Sequence, residues 1–529
     1  MFRDVTQQAG LDFVHDNGAY GRKLFPERMG SGAAFVDVNG DGLLDVFLVN
    51  GAPLPGNPRP TVARPSRLFL NQGGGRFRDA TRDSGLDGVG YGMGVAVGDV
   101  DNDGDEDLYV TRLGNNVLYL NDGRGRFLDG TDRAGVAAGN FSSSAVFVDY
   151  DADGRLDLYV CRYVPWSGLR DDHVCPGPDG KPEYCTIHVY PSMEHRLYRN
   201  LGGAQFQDVT RSAGIAGKLG RGLAVVATDY DDDGDTDILV ANDETANFLW
   251  NNNGKGRFTD YASVANFAEN GKGAFSAGMG LDVVDVDGNG SLDVIETDFQ
   301  NVRKTLYVND GHGYFLPDSD GKGLGDMTLQ RLGFGIGFLD YDRDGRPDVF
   351  MTNGHVNEDG DPNQPGGPLA QTAQLFHNRG RGYFDDATPA LGTYARELRV
   401  GRGAAFGDFD NDGDTDILVT NNGQGPALLQ NEDPTRNHWV GLRCIGKKSN
   451  RSGLNVRVTL EAGEQRQVDE TRANSSYLSA GDPRLLLGLG GQTRVSRMTL
   501  RWPSGLTQEF RDLPVDRYWT AREGEHELR

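Results

Sequence analysis

The sequence predicts an all-β fold, a seven-bladed β-propeller followed by a small β-sandwich-like domain. Three observations predict it. One aspartate- and glycine-rich unit recurs seven times, each copy followed by a short apolar strand. A second signature, Leu-Tyr-x-Asn, a glycine-rich turn and Phe-x-Asp, follows each copy with small variations. The repeats also account for both ends of the chain.

Each unit opens with a strand of small residues, such as Gly92-Met93-Gly94-Val95-Ala96-Val97-Gly98, which fits where strands crowd around a common axis. The acidic loop comes next, and then an apolar strand such as Val46-Phe47-Leu48-Val49 or Leu108-Tyr109-Val110. The third and fourth strands read as a hairpin, as in Leu118-Tyr119-Leu120-Asn121 and Phe127-Leu128-Asp129 around Asp122-Gly123-Arg124-Gly125. The Asn-to-Phe spacing is six in Asn71/Phe77, Asn121/Phe127, Asn200/Phe206, Asn309/Phe315 and Asn378/Phe384, and reads as seven in Asn251/Phe258.

Four strands per unit, repeated radially, make propeller blades. The final unit has its loop at Asp408 and its third strand at Leu428-Leu429-Gln430-Asn431, but no Phe-x-Asp strand follows. Phe2-Arg3-Asp4-Val5-Thr6 supplies the missing strand, so the N-terminal strand is expected to close the last blade and remove two open sheet edges. The propeller is assigned to residues 1–434. A second β domain at 435–529 shows strand alternation in Val456-Arg457-Val458-Thr459-Leu460 and Met498-Thr499-Leu500-Arg501-Trp502.

The acidic loop reads Asp-x-Asp/Asn-x-Asp/Asn-Gly-x-x-Asp. Its oxygen-bearing positions 1, 3, 5 and 9 converge on one point, glycine 6 makes the bend, and position 7 offers a backbone carbonyl. The candidate metal ligands are Asp37, Asn39, Asp41 and Asp45; Asp99, Asp101, Asp103 and Asp107; Asp149, Asp151, Asp153 and Asp157; Asp229, Asp231, Asp233 and Asp237; Asp285, Asp287, Asn289 and Asp293; Asp340, Asp342, Asp344 and Asp348; and Asp408, Asp410, Asp412 and Asp416. Position 12, which a helix-loop-helix site fills with glutamate, is apolar except at Glu296, so a strand follows the loop instead. Carboxylates this close repel by several kcal/mol at an effective dielectric of about 20. A hard, all-oxygen donor set selects calcium, up to seven ions, over zinc or copper. Asn39 and Asn289 make the first and fifth loops less anionic, and weaker sites are expected there.

A formal charge of −24 excludes the basic stripe that a nucleic-acid surface needs, and seven calcium ions would bring it to −10. No stretch is long and apolar enough for a membrane span. Met1-Phe2-Arg3-Asp4 opens no signal peptide, which fits either a cytosolic protein or a mature exported one. Cys175 and Cys185 flank a Pro/Gly loop that a disulfide would close, whereas Cys161 and Cys444 read as buried thiols.

The units resemble FG-GAP/VCBS repeats of the kind found in integrin α-subunit propellers. The C-terminal segment resembles the ASPIC/UnbV domain of the cartilage-acidic-protein-1-like family, through Asn437-His438-Trp439, Ser449-Asn450-Arg451, Tyr477-Leu478-Ser479, Gly488-Leu489-Gly490 and Arg501-Trp502-Pro503-Ser504-Gly505. Asn455 departs from the pattern, where glycine is expected. The resemblance implies an extracellular or periplasmic protein.

Metal loops and Asn-to-Phe hairpins share one face of a propeller. The opposite face receives the long connections 51–66, 161–196 and 353–374, and it is the expected site for a protein, glycan or small-molecule partner. His355 and Glu358 in Asn353-Gly354-His355-Val356-Asn357-Glu358 are the candidate catalytic pair, and His173, His188 and His195 a candidate transition-metal group. Two functions follow: a recognition module, or a cyclase- or lyase-type enzyme with a pocket at the channel mouth near His355. The absence of a nucleophile or oxyanion motif favours recognition.

Overall fold

In a computed structural model, described for residues 1–58, 63–166, 168–169, 173, 175–177, 180–357 and 369–529, the chain is all-β. Among the described residues the repeats form seven sheets in sequence order: six are four-stranded and antiparallel, and the first has four such strands with the short strands Asn474–Ser475 and Ser479–Ala480 added at its inner edge. Their inner strands are Ala33–Val36, Tyr91–Gly98, Ser142–Val148, Gly222–Thr228, Leu281–Val284, Gly333–Leu339 and Gly401–Gly407. Each packs beside the next, and the first also packs beside the seventh. Six sheets run inner to outer in chain order, as in Tyr91–Gly98, Asp107–Leu113, Val117–Asn121 and Phe127–Asp129. In the seventh, the outer strand is Arg3–Asp4, paired as Arg3↔Gln430 and Asp4↔Leu429.

The Leu-Tyr-x-Asn asparagine joins consecutive sheets. Its Nδ2 donates to a carbonyl at loop position 2 of the preceding sheet: Asn121 to Val38 (2.9 Å), Asn200 to Val100 (2.7 Å), Asn252 to Tyr150 (2.7 Å), Asn309 to Tyr230 (2.8 Å), Asn378 to Val286 (2.9 Å) and Asn431 to Tyr341 (2.8 Å). Asn71 of the first sheet reaches Phe409 of the seventh (2.9 Å). In the fourth sheet the residue is Asn252, paired opposite Phe258, and not Asn251. The spacing there is the same six as elsewhere; the run Asn251-Asn252-Asn253 hid the register.

The centre of the inner strands is filled. Residues 474–480 leave the C-terminal part of the chain and enter it, with Ala480 pairing parallel to Ala34 of the first sheet. Val95 N–H donates to the Leu478 carbonyl (3.1 Å), Ile336 N–H to Ser476 Oγ (3.1 Å) and Ala33 N–H to Ser479 Oγ (3.2 Å). A Cβ on Gly32 would lie 1.8 Å from the Leu478 carbonyl oxygen, so only glycine admits the segment there. Ser476 and Leu478 hold φ of 68° and 59°, a conformation costly for a leucine that is sustained by these contacts.

From the opposite side, Phe25 and Met29 pack onto Tyr477, Leu478, Phe334 and Tyr163. The Tyr477 hydroxyl donates to the Met29 carbonyl at 2.7 Å. Arg402, fully buried, donates to the carbonyls of Arg28 (2.8 Å), Gly401 (2.7 Å), Gly354 (3.2 Å) and His355 (3.1 Å).

Beyond residue 437 a three-stranded sheet (Leu485–Gly490, His438–Ile445, Arg517–Arg522) faces a four-stranded one (Gln465–Glu470, Arg457–Ala462, Arg494–Arg501, Thr507–Pro514). Val440, Leu460, Met498, Leu500 and Trp502 form their shared core. Asn455 takes φ 60° and makes the turn expected of glycine, its Nδ2 donating to the Ala227 carbonyl (2.9 Å).

If residues 474–480 brace the sheets, Tyr477→Phe should cost about 1 kcal/mol by loss of one buried hydrogen bond. Tyr477→Ala should cost about 3–5 kcal/mol by loss of the ring. Denaturant unfolding followed by tryptophan fluorescence measures both. An unchanged midpoint for Tyr477→Ala would mean the segment is only tethered.

Candidate metal centres

The seven acidic loops share one backbone path. Position 4 has positive φ in every copy (Gly40 70°, Asn102 63°, Ala152 53°, Asp232 60°, Gly288 79°, Arg343 56°, Asn411 59°), and so does the glycine at position 6, from 84° at Gly154 to 106° at Gly104. Two left-handed residues two apart curl the chain around a point. Asn, Asp and Gly suit position 4, a signal present in the sequence but not read there.

The second loop shows the internal bonding. Asp99 accepts N–H groups of Asp103 (3.1 Å) and Gly104 (2.8 Å), and Asp103 accepts that of Asp105 (3.0 Å). Asp107 accepts Val100 N–H at 2.9 Å and, across the sheet, Asn121 N–H at 2.8 Å. The first, third and ninth positions converge. Ligand atoms of Asp99, Asp101 and Asp107 lie within 4.8 Å of one another, as do those of Asp149, Asp151 and Asp157, of Asp229, Asp231 and Asp237, and of Asp285, Asp287 and Asp293. In the sixth loop the group is Asp342, Asp348 and His377. His377 occupies the variable place of the Leu-Tyr-x-Asn signature and was not anticipated.

Two properties test whether a cation fits. Oδ1 of the position-3 aspartate is buried without a hydrogen-bond partner in five loops, at Asp101, Asp151, Asp231, Asp342 and Asp410. A buried, unpartnered acceptor costs about 1–3 kcal/mol, and a cation at the convergence point removes that cost. Burial also drives the acids up: Asp99 to about 6, Asp149 and Asp408 to about 7, Asp107 to about 9, and Asp157, Asp237, Asp293 and Asp416 well above the ordinary carboxylate range. At neutral pH such groups need either a proton or a metal. The all-aspartate groups offer oxygen donors, which fit a hard divalent ion; the sixth loop adds the imidazole nitrogen of His377.

The loops differ in what else reaches them. Arg199 pairs with Asp151 (2.7 Å), Arg155 with Asp153 and Arg346 with Asp344. Arg501 from the C-terminal sheets pairs with Asp229 (2.6 Å), and the Tyr518 hydroxyl donates to Asp408 (2.8 Å). His377 is held at 3.1 Å from Asp348, which raises its pKa. In the first loop Asn39 Nδ2 donates to Asp41 (3.0 Å). The second loop forms no ion pair among the described residues and is the most purely acidic. The C-terminal sheets also bond the loops through Asp99 N–H to Ser452 Oγ (2.9 Å), Arg457 to the Gly290 carbonyl (3.0 Å) and Gln465 to the Asp344 carbonyl (3.1 Å). The C-terminal segment therefore packs against the loop face.

The other sequence candidates do not assemble. His355 is 6% exposed, accepts Asn357 N–H at Nδ1 (3.0 Å) and has a pKa lowered by burial, while Glu358 lies outside the described residues. His195 is buried against the Tyr159 hydroxyl (2.9 Å), His188 meets Glu244 (2.8 Å) and His173 stands edge-on to Tyr190. Each of the three has separate partners. Cys175 and Cys185 are disulfide-bonded with Cα atoms 5.2 Å apart; Cys161 and Cys444 are buried and free. No helix is long and apolar enough to cross a membrane, among the described residues.

A model of FG-GAP-like repeats matches residues 37–110, 99–160, 178–240, 229–296 and 340–419, and one described as ASPIC and UnbV matches 446–528. Cartilage acidic protein 1 of Xenopus tropicalis is 24% identical over 286 residues, covering 51% of this chain and 40% of the relative. The Mus musculus protein of that name is 22% identical over 309 residues, covering 56% and 44%. The chain thus spans less than half the length of these relatives. An Agrocybe aegerita lectin, solved for its recognition of non-reducing terminal N-acetylglucosamine, aligns with a TM-score of 0.40 at 17% identity, over 77% of this chain and 91% of that one.

Replacing Asp101 or Asp103 with alanine should lower the calcium-loaded melting temperature more than Asn39→Ala. Differential scanning fluorimetry reads the three side by side. Equal shifts would remove the ranking of the second loop above the first.

Proposed function

The chain belongs to the FG-GAP-like repeat family, with an ASPIC and UnbV segment behind the repeats, and from that premise we propose that it is a calcium-stabilised, extracytoplasmic binding module. In this reading residues 1–434 form a closed seven-bladed β-propeller and 435–529 a β-sandwich seated on its calcium face. The asparagine bonds that link each sheet to the one before, and the first to the seventh, support closure.

The observation that carries the calcium assignment is the buried, unpartnered Oδ1 repeated at position 3 of five loops. Aspartates at positions 1, 3, 5 and 9, with Asn39 in the first loop and Asn289 in the fifth, would hold each ion, and the ion would supply the charge that keeps the acids ionised inside the fold. Seven filled sites are the full complement. The Cys175–Cys185 disulfide supports an oxidising compartment, extracellular or periplasmic.

A macromolecular partner, protein or glycan, would use the face opposite the calcium loops, because the C-terminal sheets pack against the loop side. Leu219 and Phe275, 59% and 53% exposed, lie in connections between sheets on that face. Binding is favoured over catalysis for two reasons. Tyr477, Leu478 and Met29 fill the centre where a channel pocket would lie, and His355 is committed to the Asn357 turn.

Chelation should lower the melting temperature, and calcium should restore it better than magnesium. Each independent site contributes about 2.7 kcal/mol at a hundredfold excess over Kd. The sign of the pH effect follows from the acids. Their folded pKa values are raised, so in metal-free protein the stability present below about pH 4 is lost as pH rises through about 6 at Asp99, 7 at Asp149 and 9 at Asp107. Calcium should flatten that fall between pH 5.5 and 9. A metal-free protein whose melting temperature is constant over this range would contradict the assignment.

Immobilised calcium-loaded protein, probed with glycan arrays and candidate extracellular proteins, should capture a partner. Phe275→Ala should weaken capture at least tenfold, while Leu128→Ala, on an outer strand, should not change it. The converse pattern would move the site to the rim.

A further inference from the structure

A cavity lies on the loop face, between the fifth, sixth and seventh acidic loops and the C-terminal sheets. Its volume is about 370 Å³, within the range of small-ligand sites. Asp287 and Gly288 of the fifth loop and Gly345 of the sixth form one wall, and Gln465, Arg466 and Gln467 of the C-terminal sheets face them. A site between two modules cannot be read from either repeat pattern alone.

Its chemistry is mixed in a specific way. Phe338 and Phe406, each only half-buried, present ring surface at the inner end. Both stand on inner strands where the repeat favours small residues. Arg472 at the floor is neutralised by Asp469 (2.6 Å) and Asp282 (3.7 Å), and Arg484 by Asp482 (2.8 Å). Arg381 and Arg466, in contrast, are exposed, line the opening and form no ion pair among the described residues. Arg466 Nη1 lies 2.6 Å from where a Cβ on Gly290 would be, which places its guanidinium over the bend of the fifth loop. Gln465 adds a buried amide oxygen with no donor.

Two exposed guanidinium groups at the mouth, neither in an ion pair among the described residues, call for a carboxylate, which a guanidinium can bind in bidentate fashion. An unpartnered amide oxygen calls for a hydroxyl, and two phenyl rings for an apolar ring face. We infer that this inter-module cavity binds a uronic-acid-type sugar, its carboxylate on Arg381 and Arg466, a hydroxyl on Gln465 and its ring against Phe338 and Phe406. The inference rests on the calcium reading in one respect: with the fifth, sixth and seventh loops unfilled, Asp285, Asp287, Asp340 and Asp408 would repel the ligand.

Isothermal titration of calcium-loaded full chain with glucuronate, galacturonate and a galacturonate disaccharide tests it, with glucose and galactose as neutral controls. At least one uronate should bind, at least tenfold more tightly than its neutral counterpart. The Arg381→Ala/Arg466→Ala variant should lose at least tenfold in affinity while keeping the calcium-dependent rise in melting temperature. Absence of uronate binding by protein that still responds to calcium overturns this inference alone, as does unchanged affinity in the double variant or equal binding of neutral sugars. Loss of the calcium response in the parent protein would instead overturn the reading on which it stands.

Discussion

The structure depends on a carboxylate placed where carboxylates are expensive. The aspartate at position 9 of each loop is buried, and in all but the fourth its two oxygens tie together separate pieces of chain. In the second loop, Asp107 binds the Val100 amide of its own loop and the Asn121 amide of the third strand. Asn121 then reaches the Val38 carbonyl of the preceding sheet. Loop, sheet and neighbouring sheet therefore share one node, complete in six of the seven loops; in the fourth, Asp237 Oδ1 accepts the Asn252 amide while its Oδ2 has no partner. Ionised, the node bonds strongly to those amides; protonated, it loses an acceptor. A cation beside it would keep the strong form available inside the fold, which is a reason for the acids to cluster there and not over the whole surface.

The same loops carry the second layer of organisation. Ser452, Arg457, Arg501 and Tyr518 reach them from the C-terminal sheets, while residues 474–480 descend between the inner strands. The C-terminal segment thus grips the repeats at rim and centre together. Arg501 and Tyr518 contact aspartates that are themselves candidate ligands, so loop occupancy and docking of the sheets share the same oxygens. This coupling is electrostatic at the rim and mainly apolar at the centre, where Leu478 and Tyr477 join the largest aromatic cluster.

Much of this was legible in the sequence, because repetition turns weak local signals into strong ones. The strand order within each sheet and the pairing of Arg3–Asp4 with the last repeat follow from motifs that a seven-fold count makes hard to miss; of the four loop positions read as converging, 1, 3, 5 and 9, the second to fifth loops bring together 1, 3 and 9. What escaped was what does not repeat. Asn252 was hidden by identical neighbours on both sides. His377 stands where other copies carry an ordinary strand residue. Tyr477-Leu478-Ser479 was visible as a motif, but its place in the centre depends on contacts hundreds of residues away, and no local propensity encodes those. The long connections drew attention to the far face, while the cavity arose on the near one, where two modules meet.

The strand Arg3–Asp4 pairs with residues made more than four hundred positions later, and residues 474–480 enter the centre later still. No ribosome can present these partners together until nearly the whole chain has emerged. Early repeats must wait with an unsealed flank and an empty hub, exposing sheet edges that invite the wrong neighbour. In an exported chain that delay would suit transport, since a chain that cannot complete itself remains threadable.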